Sequence, residues 1–247
     1  MRENYTLTRL FLEGDLSQGG EIELLREQAH YLGSVLRKSE GESIRVFNGR
    51  DGEWRADIIE IGKKSGRLRV VEVLRDQNIV ADMTLLFAPV RKHRTAFIIE
   101  KATELGVRRL QPVFTQRTQF PRLNTEKSRL QAIEAAEQTE RLDVPEIEPV
   151  QPLKDLLAAW DGRPILFADE AGGGKSAETA VRQVETPAAI LIGPEGGFSP
   201  EERAELLGLD FVIPVSLGPR ILRADTAALS VLTLWQALSG DWNGSPA

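Results

Sequence analysis

Cysteine is absent from this chain, and histidine nearly so, with only His30 and His93 among 247 residues. Without cysteine there is no disulfide, no thiolate metal centre and no cysteine nucleophile. Two histidines cannot build a histidine-rich metal site, and no metal is expected. The opening "MRENYTLTRLFLEGD" has no apolar run of signal-peptide length, and no stretch elsewhere is long and apolar enough to span a bilayer. The expectation is a cytoplasmic protein with no membrane partner. A nucleotide-phosphate loop is lacking too, although "DEAGGGKSAE" ends its glycine run in Gly174-Lys175-Ser176. The Walker pattern needs a glycine where this chain has Asp169, whose carboxylate would repel a triphosphate. Too few apolar residues follow Lys175 to open a convincing helix.

Hydrophobic residues make up 41% of the chain, enough for one large or two modest cores. The formal net charge is -6, which argues mildly against a nucleic-acid partner, but the average hides a local inversion. Residues 91–129 hold ten basic and three acidic side chains, a net +7, so the remainder carries -13. Such a segment is either a solvated surface or a patch that focuses a phosphate backbone.

Residues 1–76 read as a small β domain with a short helix. "ESIRVFNGRDGEWRADIIEI" alternates Ile44, Val46 and then Trp54, Ala56, Ile58 around Asn48-Gly49 and Asp51-Gly52, which is hairpin chemistry, and "GRLRVVEVL" is a further strand. In "REQAHYLGSVLRKSEGE", Ala29, Leu32 and Leu36 stand at helical spacing, predicting a helix that stops by Gly41. After a junction near "RDQNIVAD" the character changes. Strand candidates "MTLLFAPV", "LQPVFT", "ILFADE", "AAILIGP" and "FVIPVSL" alternate with helix candidates "HRTAFIIEKATELG", "NTEKSRLQAIEAAEQTER", "SPEERAELLG" and "DTAALSVLTLWQALSG". Alternation of this kind predicts an α/β domain over residues 77–247, with a parallel sheet covered on both faces.

Ligands of open parallel sheets bind beyond the carboxyl ends of the strands. Three such ends stand out: "ILFADEAGGG", "ILIGPEGGFSPEE" and "VSLGPRILRADTAAL". Gly193, Gly196, Gly197 and Gly218 would let main chain pass close to a ligand, and Pro194 and Pro219 stiffen the same loops. "GPEGG" lacks dinucleotide spacing, and Glu195 would disfavour a pyrophosphate. The fitting ligand lacks phosphates and carries a cationic centre on an adenosine, which describes S-adenosylmethionine.

"EKATELGV", "EAAEQTERLDVPEI", "LIGPEGGFSPEE" and "VSLGPRILRADTAAL", in this order along the chain, resemble the RsmE family of 16S ribosomal RNA (uridine N3)-methyltransferases, members of the SPOUT superfamily. The resemblance covers nearly the whole chain. It implies an N-terminal PUA-like RNA-binding β-barrel and a C-terminal SPOUT-type parallel sheet tied in a trefoil knot. It also implies a homodimer whose substrate is 16S ribosomal RNA, in the small ribosomal subunit. Carried over by motif, the S-adenosyl-L-methionine site would comprise Ile192, Gly193, Pro194, Glu195, Gly196 and Gly197 in the second loop. From the third loop it would take Leu217, Gly218, Ile221, Leu222 and Arg223, with Thr226 at the helix start; Asp169 and Glu170 are neighbours in the first.

Methylating a uridine ring nitrogen requires in-line placement of the methyl group, removal of the nitrogen's proton and stabilisation of charge spreading onto the flanking oxygens. The catalytic candidates are Arg223 or Arg141 on the uracil oxygens and a carboxylate, Glu137 or Glu195, as base. Glu137 and Arg141 are four apart, as on one helix face. Family members often carry glycine where Glu140 stands, and asparagine-arginine or threonine-arginine in place of Leu142-Asp143, so this loop has lost a positive charge. RNA contacts are expected from Arg9, His30 and Arg37 in the first domain and from Lys92, Lys101 and Arg117 in the basic segment. Three other readings stand beside this one: an RNA-binding or assembly protein without catalysis, a knotted enzyme acting on ribose or another base, and a hydrolase using "GGGKS".

Overall fold

A computed structural model describes residues 6–243 of the chain. Two compact units divide it: the chain up to Ile79 together with Ala136–Asp143, and Val80–Ala135 with Val144 onward.

The first unit is a curled five-stranded sheet. Its strands are β1 (Arg9–Phe11), β2 (Glu21–Glu23), β3 (Ser43–Phe47), β4 (Glu53–Ile61) and β5 (Gly66–Arg75), in the order β1-β3-β4-β5-β2. β1 runs parallel to β3, and the expected β3–β4 hairpin is antiparallel, with Ile44 opposite Ala56 and Val46 opposite Trp54. Register shifts in β4–β5 mark bulges, which tighten the curl. Alternation turns Leu10, Ile44, Val46, Ala56, Ile58, Leu68 and Val70 to one face, where Ala29 and Leu32 cover them. The helix expected as far as Gly41 is shorter. α1 (Arg26–His30) passes into a π-type turn, Tyr31–Val35, in which the Leu36 amide donates to the Tyr31 carbonyl at 2.9 Å. The wider turn swings Leu36 off the buried face, so it is 37% exposed, and Arg37 follows in a left-handed conformation, φ 56°.

The opposite face of the sheet carries Arg9, Arg45, Phe47 and Glu53, all buried. Arg9 Nε donates to Glu53 Oε1 at 2.6 Å, its guanidinium stacks 4.3 Å over the Phe47 ring, and Arg75 adds a second fork to Glu53 at 3.0 Å. The remaining Arg9 nitrogens donate to the carbonyls of Ala136 (2.6 Å) and Arg141 (2.7 Å), so this arginine holds the 136–143 segment to its own unit. Burial tends to raise the Glu53 carboxyl, but the hydrogen bonds and charges of Arg75 and Arg9 outweigh it and hold the group below its ordinary value. Glu140 has φ 64°, the conformation glycine adopts without penalty, and its carboxylate takes both Nη atoms of Arg45 at 2.6 and 2.8 Å.

The second unit is an α/β layer structure. Its strands are β6 (Met83–Phe87), β7 (Arg109–Phe114), β8 (Glu146–Ile147), β9 (Gln151–Pro152), β10 (Ile165–Ala168), β11 (Lys175–Ser176), β12 (Ala188–Ile192) and β13 (Val212–Ser216). The order is β11-β13-β10-β12-β6-β7-β8, with β9 beside β7, and every pairing is parallel. The central strands are continuous apolar runs, as burial on both faces requires. Leu85, Phe87, Ile190 and Ile192 face a core shared with α2 (Lys92–Glu104), α5 (Ala177–Val181) and α7 (Ala224–Leu238). Leu86, Leu191, Ile165 and Phe167 face the other way, against α4 (Leu153–Ala158) and α6 (Pro200–Leu207). α2 ends at Gly106, φ 73°, as its sequence predicts. Asn124 is the cap before α3 (Thr125–Gln138), its side chain accepting the Lys127 amide at 2.8 Å. A reciprocal capping box of Ser199 and Glu202 opens α6, with Pro200 in its first turn.

One local expectation fails here. A five-residue helix, α5, does open directly after Lys175, because Ser176 caps it by accepting the Thr179 amide and Ala177, Ala180 and Val181 supply the buried face. This does not make a phosphate loop. Lys175 is exposed and its Nζ donates to Gln183. Lys175→Ala is expected to shift stability by less than about 0.5 kcal/mol in thermal unfolding, as surface substitutions do.

Candidate active site

β12 lies between β6 and β10, whereas β13 continues on the far side of β10. The loops leaving β10, β12 and β13 therefore meet at one carboxyl edge of the sheet. They enclose a cavity of about 640 Å³. The first loop contributes Ala168, Asp169, Glu170 and Gly172; the second Ile192, Gly193, Pro194, Glu195 and Gly197. The third contributes Leu217, Gly218, Ile221, Leu222 and Arg223.

Each loop is fixed by its neighbours. A Cβ on Gly193 would enter the Phe198 ring, which is buried and packs edge-on against Phe167 at 5.0 Å. Gly197 has φ 65°, and a Cβ there would run into Glu170 Oε1. That same oxygen accepts the Phe198 amide at 3.2 Å, so Glu170 ties the first loop to the second. Asp169, 5% exposed, is gripped by the Arg203 fork at 2.8–3.2 Å, and Arg203 also donates to the Gly172 carbonyl. This pairing raises the Arg203 guanidinium above its ordinary value. Across the rim, Arg94 Nη1 donates to Glu195 Oε1 at 2.9 Å and Arg94 Nε lies 3.8 Å from Asp225.

Ten of the twelve residues expected at the cofactor line this cavity. Gly196 and Thr226 are not among its lining residues: the Gly196 carbonyl accepts Arg117 Nη1 at 3.1 Å, and the Thr226 amide donates to Asp225 in the first turn of α7. Of the catalytic candidates, Arg223 and Glu195 are at the cavity. Arg141 and Glu137 are engaged in the first unit. The Phe11 amide donates to Glu137 Oε1 at 2.9 Å, and Arg141 forks onto Asp143 at 2.8 and 3.0 Å. The single helix face expected to carry both does not form, because α3 ends at Gln138 and Glu140 turns left-handed.

The residues expected on RNA also divide. His30, Arg37, Lys92 and Arg117 are exposed. Lys101 is held between Glu100 and Glu104, each at 2.7 Å. Arg9 is a correction: it is only 5% exposed and its guanidinium is engaged by Glu53 and backbone carbonyls, so it does not stand at the surface as a phosphate contact needs. Arg91, Arg94 and Gln119 line the cavity without having been singled out. The basic run 91–129 was the available signal for the two arginines, but it could not say which cations turn toward the sheet edge.

Comparison with known proteins gives the class first: residues 76–236 match an RNA methyltransferase domain, and residues 24–71 match an RNA methyltransferase PUA domain. Among curated proteins, ribosomal RNA small subunit methyltransferase E of Rickettsia conorii is 33% identical over 91% of this chain and 93% of its own length. A Legionella pneumophila protein solved in complex with bound S-adenosylmethionine superposes with a TM-score of 0.84 at 32% identity, covering 95% of this chain and 99% of the other. Ribosomal RNA small subunit methyltransferase E from Neisseria gonorrhoeae, also bound to S-adenosylmethionine, gives 0.87 at 26% identity, covering 96% and 100%. The chain belongs to the ribosomal RNA small subunit methyltransferase E family.

The residues of the cavity fit the cofactor seen in those relatives. Nothing would lie within 4 Å of a Cβ on Gly218, whose φ is 102°, so main chain there borders open space. Ile192, Leu217 and Leu222 offer apolar walls for a purine nucleoside, and the carboxylates of Asp169, Glu170 and Glu195 stand among the lining residues with Arg91, Arg94, Arg220 and Arg223.

Proposed function

We propose that this protein methylates N3 of a uridine in 16S ribosomal RNA, with S-adenosyl-L-methionine as donor. The observation that carries the reading is the cavity at the sheet edge, built by the three loops whose motifs match the family. When bound there, the donor supplies a methyl group already activated by its sulfonium. The chain's own residues do the rest. Ile192, Leu217 and Leu222 hold the nucleoside, and the backbone at Gly197 and Gly218 makes close approach. Arg223, exposed at the cavity, donates to a uracil carbonyl oxygen as the ring loses its proton and negative charge spreads there. Glu195 is the carboxylate available as base, released from Arg94 when RNA enters. Residues 1–76 serve as the RNA-binding PUA-like module and residues 77–247 as the methyl-transfer domain, knotted at the cofactor loops. The active form is a cytoplasmic homodimer acting on the small ribosomal subunit.

The test is nucleoside mass spectrometry after incubating the purified protein with the donor and small-subunit RNA. The expected product is 3-methyluridine; methylation of ribose or another base, or no methylation, would overturn the reading. Arg223→Ala is expected to lower kcat by roughly 100-fold, the usual effect of losing one donor to a developing oxyanion. Donor affinity measured by calorimetry should change far less.

A further inference from the structure

A second cavity, of about 290 Å³, lies in the same unit between α2 and the segment entering α3. Its floor is apolar: Val90, Ile99, Leu123 and the ring of Phe120, which is 40% exposed. Its rim carries Lys92, Arg122 and Lys127, all exposed, and no Asp or Glu is among its lining residues. This sets it apart from Lys101, whose charge is already balanced by two carboxylates. Val90 and Phe120 also line a narrow cleft that reaches Pro194 and Glu195. Those two residues border the 640 Å³ cavity. The groove formed by this cleft and the second cavity therefore shares lining residues with the larger cavity.

Chemistry on a base ring requires that base to leave its stack, and its neighbours then lose a stacking partner. An exposed aromatic ring replaces that partner, because every base has a π face, and cations around it hold the connecting phosphates. A free apolar groove for protein would not need three uncompensated cations and no acid. We infer that this groove carries single-stranded RNA away from the target nucleotide, with a flanking base laid on Phe120 and the adjoining phosphates held by Lys92, Arg122 and Lys127. The inference rests on methyl transfer to RNA at the larger cavity, and it extends that reading to a second nucleotide subsite.

The test uses the full chain and a fluorescently labelled ten-nucleotide oligouridylate, with binding read by anisotropy across a salt series. Phe120→Ala is expected to weaken binding roughly tenfold, the effect of one lost base–aromatic stack, and Phe120→Tyr to restore it. Arg122→Gln with Lys127→Gln should flatten the logarithmic salt slope by about 1.4, two phosphate contacts on a single strand. Donor affinity should not change in any of these variants. Unchanged oligonucleotide affinity and slope would overturn the inference. So would competition by uridine monophosphate as strong as by the oligomer, which would make this a free-nucleotide site. Loss of a dimer on light scattering in Phe120→Ala, with RNA affinity intact, would show that a second copy covers the groove. A wild-type chain that binds the oligomer through these residues yet neither binds S-adenosylmethionine nor forms 3-methyluridine would uphold the RNA groove and overturn the methyltransferase reading.

Discussion

Glu53→Ala is expected to destabilise the first unit by roughly 3–5 kcal/mol, the usual consequence of removing one member of a buried charged cluster. The side chains of Glu53 and Arg9 are each 2% exposed and that of Arg45 is 3% exposed. Without the carboxylate, two guanidiniums stay buried, with Glu140 close to both. For a unit of this size the loss corresponds to a melting shift of about 15 °C or more. Circular dichroism or hydrogen exchange on the full chain would measure it, with protection lost in β1, β3 and the 136–143 segment together. A shift below about 1 kcal/mol would mean that the cluster contributes little beyond its own desolvation. The same carboxylate predicts a pH dependence. Its folded value lies below its unfolded one, so its contribution is fully present above the unfolded value, about 4.3, and disappears as pH falls through the folded value. Glu53→Gln should flatten the melting temperature in that acid window while lowering it at neutral pH.

Gly197→Val is expected to abolish measurable S-adenosylmethionine binding at concentrations that saturate the wild type, a loss of about 100-fold or more. Two independent costs add at this position. A β-branched residue at φ 65° is a backbone outlier, and the left-handed conformation alone costs any side chain about 1–2 kcal/mol. The new Cβ would also displace Glu170, which ties the first loop to the Phe198 amide. The double variant Gly197→Ala with Glu170→Ala separates the two, since it removes the collision and keeps the backbone cost. Calorimetry with the donor reads the outcome. Wild-type affinity in Gly197→Val would show that the second loop does not contact the ligand.

The elements of the second unit are more legible in the sequence than those of the first. Short-range signals define its elements: the apolar runs of β6, β10 and β12, the Ser199–Glu202 capping box, and Gly106 after α2. The cofactor loops were legible because the chemistry they need, main chain close to a ligand, leaves glycine and proline at the ends of apolar strands. The short strands β1, β2, β8, β9 and β11 carry too few residues for a period to show. α1 is shorter than its periodicity predicts because periodicity cannot distinguish an α turn from the wider π turn that displaces Leu36.

Residue order by itself determined the alternation of strands and helices in the second unit, the β3–β4 hairpin and the glycine–proline turns at the strand ends, because each is written in residues close together along the chain. Tertiary structure alone decided which charges are available. Arg9 reads as a surface cation until its partners appear, at Glu53, 44 residues away, and at the Ala136 carbonyl, 127 residues away. Glu137 and Arg141 read as neighbours on one helix face until α3 is seen to end at Gln138 and the chain to turn at Glu140. The free energy of an ionised side chain is set by what surrounds it in space, and spacing along the chain carries no record of that.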